Sequence, residues 1–142
     1  MKLEIAQKMV TAALAAARTR KLKPLAVAVL DARGALKAFA AEDGTSLKRA
    51  EIATGKAAGA LAMGLGSRTL GTMAADRPHF VAAVTHAVGG LLIPVAGGVL
   101  IRDGAGALIG AVGISGDTSD NDEAAAVVGV AAAGLAADPG EG

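Results

Sequence analysis

The chain has 142 residues, 53% of them hydrophobic and 19% charged, with a formal net charge of +1, and this length predicts a single domain over residues 1–142. It contains no cysteine, which excludes disulfides, thiolate metal sites and thiol nucleophiles. Phe39 and Phe80 are its only aromatic residues, and this shortage together with the low net charge argues against nucleic-acid binding.

The first part of the chain predicts a helix followed by a hairpin. Apolar residues repeat at helical spacing over residues 5–17, and Pro24 ends that helix. Two apolar runs over residues 25–31 and 35–42 flank a short connection that contains Gly34. This pattern is typical of two antiparallel strands.

The middle of the chain predicts further helices. Residues 46–64 form the expected central helix, with Thr45 or Ser46 as its N-cap. Residues 67–78 and 78–88 meet at a proline, and they are interpreted as two shorter helices or as an irregular connection.

The last part predicts strands and a final helix. Three apolar runs separated by glycine-containing turns predict strands, near 91–95, 98–102 and 107–114. The acidic, alanine-rich stretch over residues 120–137 predicts the last helix, with Asp120 as its N-cap and Glu123 completing an approximate capping box. This order of elements favours an α+β fold in which helices cover an antiparallel sheet.

Three familiar catalytic motifs are incomplete in this chain. Gly55-Lys56 resembles a phosphate loop, but alanine replaces both the glycine five positions before it and the hydroxyl residue after it. The segment around Ser115 begins like a nucleophile elbow, yet Asp117 replaces the last glycine and both histidines lie upstream. Residues 110–113 do not extend to a dinucleotide fingerprint. No phosphate-loop, hydrolase or dinucleotide site is therefore predicted.

Two cations are candidate ligand-binding residues. Arg49 and Lys56 lie seven residues apart on one stripe of the central helix, among small and apolar neighbours. They could receive a carboxylate or a haem propionate. In the alternative interpretation they pair with Glu42, Asp43 or Glu51.

The two histidines are candidate haem ligands. His79 and His86 are seven residues apart, so on one helix they would be roughly 10 Å apart along a common face. This separation is too large for both to bind one metal ion. A single axial imidazole to a haem and an ordinary surface histidine are the two interpretations left open.

Three stretches, in this order, carry a resemblance to a known family: DGTSLKRAEIATGKAAGAL, PVAGGVLI and LIGAVGISGDTSDNDEAA. They resemble the GlcG/HbpS family of haem-degrading or haem-binding domain proteins, which is related to the C-terminal domain of PduO-type proteins. The resemblance covers nearly the whole chain. It implies a profilin-like sheet of about five strands covered by N-terminal, central and C-terminal helices, and assembly into dimers or larger rings.

The chain departs from this family at one position in the loop before the central helix. The family pattern places an arginine shortly before the Asp-Gly pair, whereas this chain has Ala40-Ala41-Glu42. We therefore expect a cleft at this position to be less cationic than in other members.

The first functional hypothesis is a cytoplasmic, homo-oligomeric protein that binds haem or another small organic ligand. Arg49 and Lys56 would neutralise the carboxylates of the ligand, and the backbone of Gly97 and Gly98 would allow its close approach. His79 is the candidate axial ligand if the cofactor is haem. The apolar excess supports the oligomer, because the charged share lies below the roughly 25% of a typical soluble domain.

Two alternatives belong to other classes of protein. An enzyme acting on a small carboxylated metabolite would use Lys56 as acid, base or anchor, with Glu42 or Asp43 as its partner. A structural oligomer would bind no ligand and use its glycines only for packing. In each case the sequence predicts neither export nor a membrane span, because charges interrupt the start of the chain and Pro94 and glycines interrupt the uncharged residues 80–101.

Overall fold

The computed structural model describes residues 1–142, which form five helices and five strands. In chain order the elements are α1 (Leu3–Thr19), β1 (Ala26–Asp31), β2 (Leu36–Ala41), α2 (Arg49–Met63), α3 (Ser67–Asp76), α4 (Pro78–Ala87), β3 (Gly98–Arg102), β4 (Leu108–Ser115), α5 (Ser119–Ala132) and β5 (Ala136–Asp138). None of the helices has both the length and the apolar character needed to cross a membrane.

The strands form one antiparallel sheet in the order β2-β1-β4-β3-β5. Helices α1 and α5 pack against each other and cover one face of this sheet, while α2 lies across β1, β4 and β3 on the other face. Because side chains alternate along a strand, each central strand contributes to both layers. The predicted α+β, profilin-like arrangement is confirmed.

The two faces of the sheet are packed with side chains of different size. The α1 and α5 side holds the largest core cluster, in which Val27, Val29 and Ile114 pack against Met9 and Val130. This cluster supplies most of the buried apolar side-chain surface, which is the main favourable contribution to folding.

The α2 side of the sheet is rich in alanine and glycine, with Leu30 and Leu100 as its large buried side chains. A Cβ on Gly113 would overlap the carbonyl oxygen of Ala53, and a Cβ on Gly98 would overlap the carbonyl oxygen of Lys56. Both Ala53 and Lys56 belong to α2. At these two glycines the backbone of α2 therefore lies directly on β3 and β4.

Both edges of the sheet are irregular or short. On β2 the partner of Val29 is Ala38 and the partner of Leu30 is Leu36, so Lys37 forms a β-bulge. At the opposite edge β5 has only three residues, and its Asp138 pairs with Arg102 on β3 at 3.1 Å.

The predicted strand at 91–95 is wrong. These residues form an irregular segment that crosses the outer side of α2, where the Ile93 amide donates to the Gly55 carbonyl oxygen at 3.2 Å. Gly55 and Gly59 leave room for this crossing, because a Cβ on either would lie less than 3 Å from Ile93 or Leu92. The fifth strand is β5 instead, so the last helix ends at Ala132 and not at residue 137.

The predicted helix caps are also wrong. Helix α2 begins at Arg49 after Lys48, with no side-chain cap from Thr45 or Ser46. Helix α5 begins one residue before the predicted cap, and the hydroxyl of Thr118 accepts from the Asn121 amide at 3.2 Å. The two short helices that meet at a proline are confirmed as α3 and α4.

Candidate functional site

A buried ion pair joins α2 to α5 past the end of the sheet. Lys56 is 2% exposed and Asp122 is 1% exposed. The Lys56 Nζ donates to Asp122 Oδ2 at 3.1 Å and to the Ile114 carbonyl oxygen at 2.9 Å. Burial lowers the pKa of Lys56 below its ordinary value, although the nearby Asp122 carboxylate opposes this effect. No candidate partner predicted from the sequence contacts this ammonium group.

Gly97 and Gly98 lie against this pair. Gly97 has a φ of +122°, and a Cβ there would lie 2.8 Å from Lys56 Nζ. The amide of Gly98 donates to the buried hydroxyl of Ser67 at 2.6 Å. These glycines allow the close approach of α2 and its lysine, so their backbone is covered by protein.

Hydrogen bonds lead from the buried pair to the surface. The Asp122 Oδ1 atom accepts from the Asp117 amide at 2.9 Å. The Asp117 Oδ1 atom in turn accepts from the Lys23 amide at 2.8 Å. One residue after the acceptor of Lys56, the Ser115 hydroxyl accepts from Arg49 Nη1 at 3.0 Å.

These bonds end at a polar cavity of about 200 Å³, here called the cationic pocket. It is lined by Lys23, Pro24, Gly44, Thr45, Ser46, Arg49 and Gly116. Neither of its two cations pairs with a carboxylate. Two unpaired cations beside two hydroxyls form a site suited to a carboxylate or another small anion.

Lys23 supplies a cation to the cationic pocket from the connection after α1. Glu42 does not reduce this charge directly, because it accepts from the Leu25 amide at 2.8 Å and pairs with Arg18 at 2.9 Å. Asp43 is exposed and makes no ion pair. The two cations of the cationic pocket therefore make no ion-pair contact with Glu42 or Asp43, and Lys23 interacts electrostatically with Asp117.

A second cavity begins at the next residue of α2. This apolar groove has a volume of about 290 Å³ and is lined by Leu36, Phe39, Ala50, Glu51, Thr54 and Leu91. It exists because α2 covers the central strands and leaves the same face of β2 open. Leu36 is 57% exposed, Phe39 is 39% exposed and Leu91 is 42% exposed, so an apolar surface is available beside the cations.

The structure brings together only some of the residues predicted from the sequence. Arg49 lines the cationic pocket, whereas Lys56 lies behind it with Gly97 and Gly98 and lines neither cavity. His79 and His86 are exposed on α4, outside both cavities. No group of three or more histidine or acidic side chains is arranged to hold a metal ion.

One known protein family matches the sequence of this chain. Residues 1–131 match the family model described as "Haem degrading protein HbpS-like". The chain belongs to the HbpS-like family. This finding confirms the family resemblance that the three sequence stretches carry.

Solved structures of other proteins share the fold. The crystal structure of HbpS is 28% identical, with a TM-score of 0.79 over 92% of this chain and 88% of that chain. A double mutant of HbpS from Streptomyces reticuli is 27% identical, with a TM-score of 0.78 over 92% of this chain and 85% of that chain. The haem complex of PduOC is 24% identical, with a TM-score of 0.84 over 95% and 96% of the two chains. A search of curated proteins gives no match.

Sequence reasoning missed Lys23, Ser115 and Asp122 as members of this site. Asp122 carried a usable signal, because the buried residues of α5 follow it at helical spacing, at Ala125, Ala126, Gly129 and Val130. A carboxylate on the buried stripe of a helix requires a partner. Lys23 had no such signal, since its position depends on contacts with a distant turn.

Asp117 should make the stability of the fold depend on pH in the acidic range. Hydrogen bonds from the Asn121 side chain and the Lys23 and Thr118 amides lower the pKa of Asp117 from 3.8 to about 2. A carboxyl group whose pKa is lower in the folded state than in the unfolded state stabilises the folded protein. This stabilisation is complete when the pH is above the pKa of the unfolded state, and it is lost as the pH falls through the pKa of the folded state. The stability difference between the wild type and Asp117→Asn should therefore be constant above about pH 5 and shrink towards pH 2. Urea unfolding at each pH measures it; a difference independent of pH would contradict the assignment.

Proposed function

We propose that this HbpS-like protein is a homo-oligomeric binding protein for a small ligand that has an apolar body and carboxylate groups, and that haem is such a ligand. The observation that supports the proposal is that two adjacent residues in the first turn of α2 line different cavities, Arg49 the cationic pocket and Ala50 the apolar groove. Apolar walls provide contact area, and a few placed polar groups fix the orientation of a bound ligand.

The residues present fit a haem in two respects. Phe39, Leu36 and Leu91 would contact one face of the macrocycle, and Arg49 with Lys23 would bind the propionates. A bound haem supplies an iron centre for redox and ligand-exchange chemistry. The name of the family and the haem complex of the PduOC neighbour point to the same cofactor.

No histidine of the apolar groove could serve as an axial ligand to the haem iron. His79 and His86 lie on α4, outside the groove. We therefore propose His79 as an axial ligand only for a haem held at α4, and the groove as a site that holds the macrocycle without either imidazole. The two placements predict different spectra for the histidine variants.

Assembly of several copies is part of the same proposal. Leu36 and Leu91 line the apolar groove and are 57% and 42% exposed, and Leu47 in the loop before α2 is 87% exposed. Exposed leucines next to an apolar groove are typical of surfaces that a second protein chain or a ligand covers. On the sequence argument alone, we place this oligomer in the cytoplasm.

Titration with haemin tests the proposal, with the Soret band as readout. We expect Arg49→Gln to weaken binding by about 10- to 100-fold, because a hydrogen bond to a charged group contributes about 1.5–3 kcal/mol. Arg102→Gln is the matched control, since it removes the same charge at β3, where Arg102 pairs with Asp138. It should bind haemin like the wild type.

Two further arms identify the contact and the location. The dimethyl ester of haemin lacks free carboxylates, so its affinity should differ little between the wild type and Arg49→Gln. His79→Ala and His86→Ala should leave the Soret band of groove-bound haem unchanged. A shifted or lost band in either histidine variant would place the haem at α4, and the absence of haemin binding would contradict haem as the ligand. Native mass spectrometry of the same samples reports the number of copies.

A further inference from the structure

The walls of the cationic pocket come from three separate segments of the chain. Lys23 and Pro24 follow α1, residues 44–49 precede and begin α2, and Gly116 follows β4. Contacts within one segment cannot hold these walls at fixed distances from one another. Their positions must be set by bonds between segments.

We propose that the buried Lys56–Asp122 pair is the positioning element of the cationic pocket, so that ligand affinity depends on residues that never touch the ligand. This inference deepens the proposed function and rests on it for the identity of the ligand. Separate bonds hold each of the three walls.

The two carboxylate oxygens of Asp122 accept hydrogen bonds from different partners. Oδ2 accepts from Lys56 Nζ, and Oδ1 accepts from the Asp117 amide. Asp122 is 1% exposed, and a carboxylate buried to this degree requires a compensating partner. Its two oxygens thus link Lys56 to the turn at Asp117.

Hydrogen bonds of Asp117 join that turn to the segment after α1. Asp117 accepts from the Lys23 amide at 2.8 Å and from the Asn121 side chain at 2.7 Å. The preceding residue, Gly116, touches the same segment, because a Cβ there would overlap the Pro24 carbonyl oxygen. Two walls of the pocket are therefore in direct contact and are held from behind by Asp122.

Lys56 also helps to position Arg49, the cation that α2 contributes to the pocket. Lys56 Nζ donates to the Ile114 carbonyl oxygen, and the next residue, Ser115, is fully buried and accepts from Arg49. The same ammonium group therefore holds the end of β4 at the position where β4 orients the guanidinium. Of the five hydrogen-bond donors of an arginine, one is used here, and the others are available to an anion.

Two double variants separate positioning from simple stabilisation. Lys56→Met with Asp122→Asn removes both charges but keeps an oxygen for the Asp117 amide. Lys56→Met with Asp122→Leu also removes both charges but leaves that amide without its acceptor. Replacing a buried ion pair by uncharged residues is often nearly neutral for stability, so both variants should fold. The Leu variant should be less stable than the Asn variant by the contribution of the one hydrogen bond that it lacks.

Amide hydrogen exchange of the ligand-free protein gives the first readout. In the Asn variant we expect Asp117 and Lys23 to exchange as in the wild type. In the Leu variant both amides should exchange at least about tenfold faster, since an opening equilibrium changes tenfold for each lost 1.4 kcal/mol. The amides of Ala105 and Ala107, bonded to Asp103 in the remote β3–β4 turn, should not change in either variant.

Haemin affinity gives the second readout. We expect the Asn variant to bind more weakly than the wild type, because it lacks the bond from Lys56 to the Ile114 carbonyl oxygen. The Leu variant should bind about tenfold more weakly than the Asn variant, which corresponds to one further lost hydrogen bond. Should the Leu variant not fold, Asp117→Ala is the substitute, because it keeps the buried pair and removes the acceptor of the Lys23 amide, together with the bonds from Thr118 and Asn121 within the same turn. In Asp117→Ala we expect faster exchange at Lys23 and weaker binding.

The outcomes separate the two proposals. Unchanged exchange at Asp117 and Lys23 in the Leu variant, or at Lys23 in Asp117→Ala, would overturn the positioning role. Faster exchange without any change in the affinity of haemin would also overturn it. If the wild type binds no haemin while the exchange pattern is as expected, haem binding fails and the positioning of the pocket stands.

Discussion

Replacing Lys56 by methionine alone is expected to lower the free energy of unfolding by about 3–5 kcal/mol. Methionine fills most of the space of the lysine stem, so the change leaves little cavity. It leaves Asp122 as an unpaired carboxylate in a site where 1% of the residue is exposed. Such a group must remain charged at high cost or bind a proton, and each alternative weakens the folded state.

Urea unfolding at neutral pH measures this effect, with Lys48→Met as the matched control. The Lys48 side chain is 71% exposed and lies 3.9 Å from Glu51, so its loss should change the stability by less than about 0.5 kcal/mol. Adding Asp122→Asn to Lys56→Met should restore most of the loss. A single variant as stable as the control would mean that the pair is not buried as described.

Gly113→Ala is expected to destabilise the protein by about 3 kcal/mol or more, at the upper end of the cost of overpacking a core. The new methyl group would overlap the backbone carbonyl of Ala53 and lie 3.0 Å from the Ala57 Cβ. A flexible side chain could move away, but these atoms belong to the backbone and to the shortest side chain of α2. The helix would have to shift off the sheet.

Gly104→Ala is the matched control for this change. Gly104 lies in the β3–β4 turn, and a Cβ there would meet no atom within 4 Å. The same added methyl group should therefore be neutral to slightly stabilising, because alanine has fewer unfolded conformations than glycine. Equal midpoints of thermal unfolding for the two variants would show that α2 is not in backbone contact with β4.

The sequence predicted the elements whose pattern is local. The hairpin of β1 and β2 and the break between α3 and α4 at Pro78 agree with the structure, because each depends on adjacent residues. The segment 91–95 was mistaken for a strand because an apolar run has no period that separates a strand from a buried crossing. β5 was missed since its alanines have a helical preference and are held in the sheet by pairing with β3.

The candidate site was less predictable than the fold. Arg49 was found because it shares a helical stripe with Lys56, but the stripe did not show that Arg49 faces a surface pocket while Lys56 is buried. The partner of Lys56 is 66 residues away in the chain, and no spacing rule covers that distance. Asp43 was a candidate partner only because it is near in sequence. Tertiary contacts, and not local pattern, decide which charged groups meet.

The irregular edges of the sheet limit how copies of this chain can associate. A bulge at Lys37 interrupts the hydrogen-bonding ladder that β2 offers, and the three residues of β5 offer almost none. Strand-to-strand addition between copies is therefore disfavoured at both ends, and with it the open-ended growth that produces fibres. At high concentration the molecule should stay dispersed as units of finite size, joined through side chains of its exposed faces.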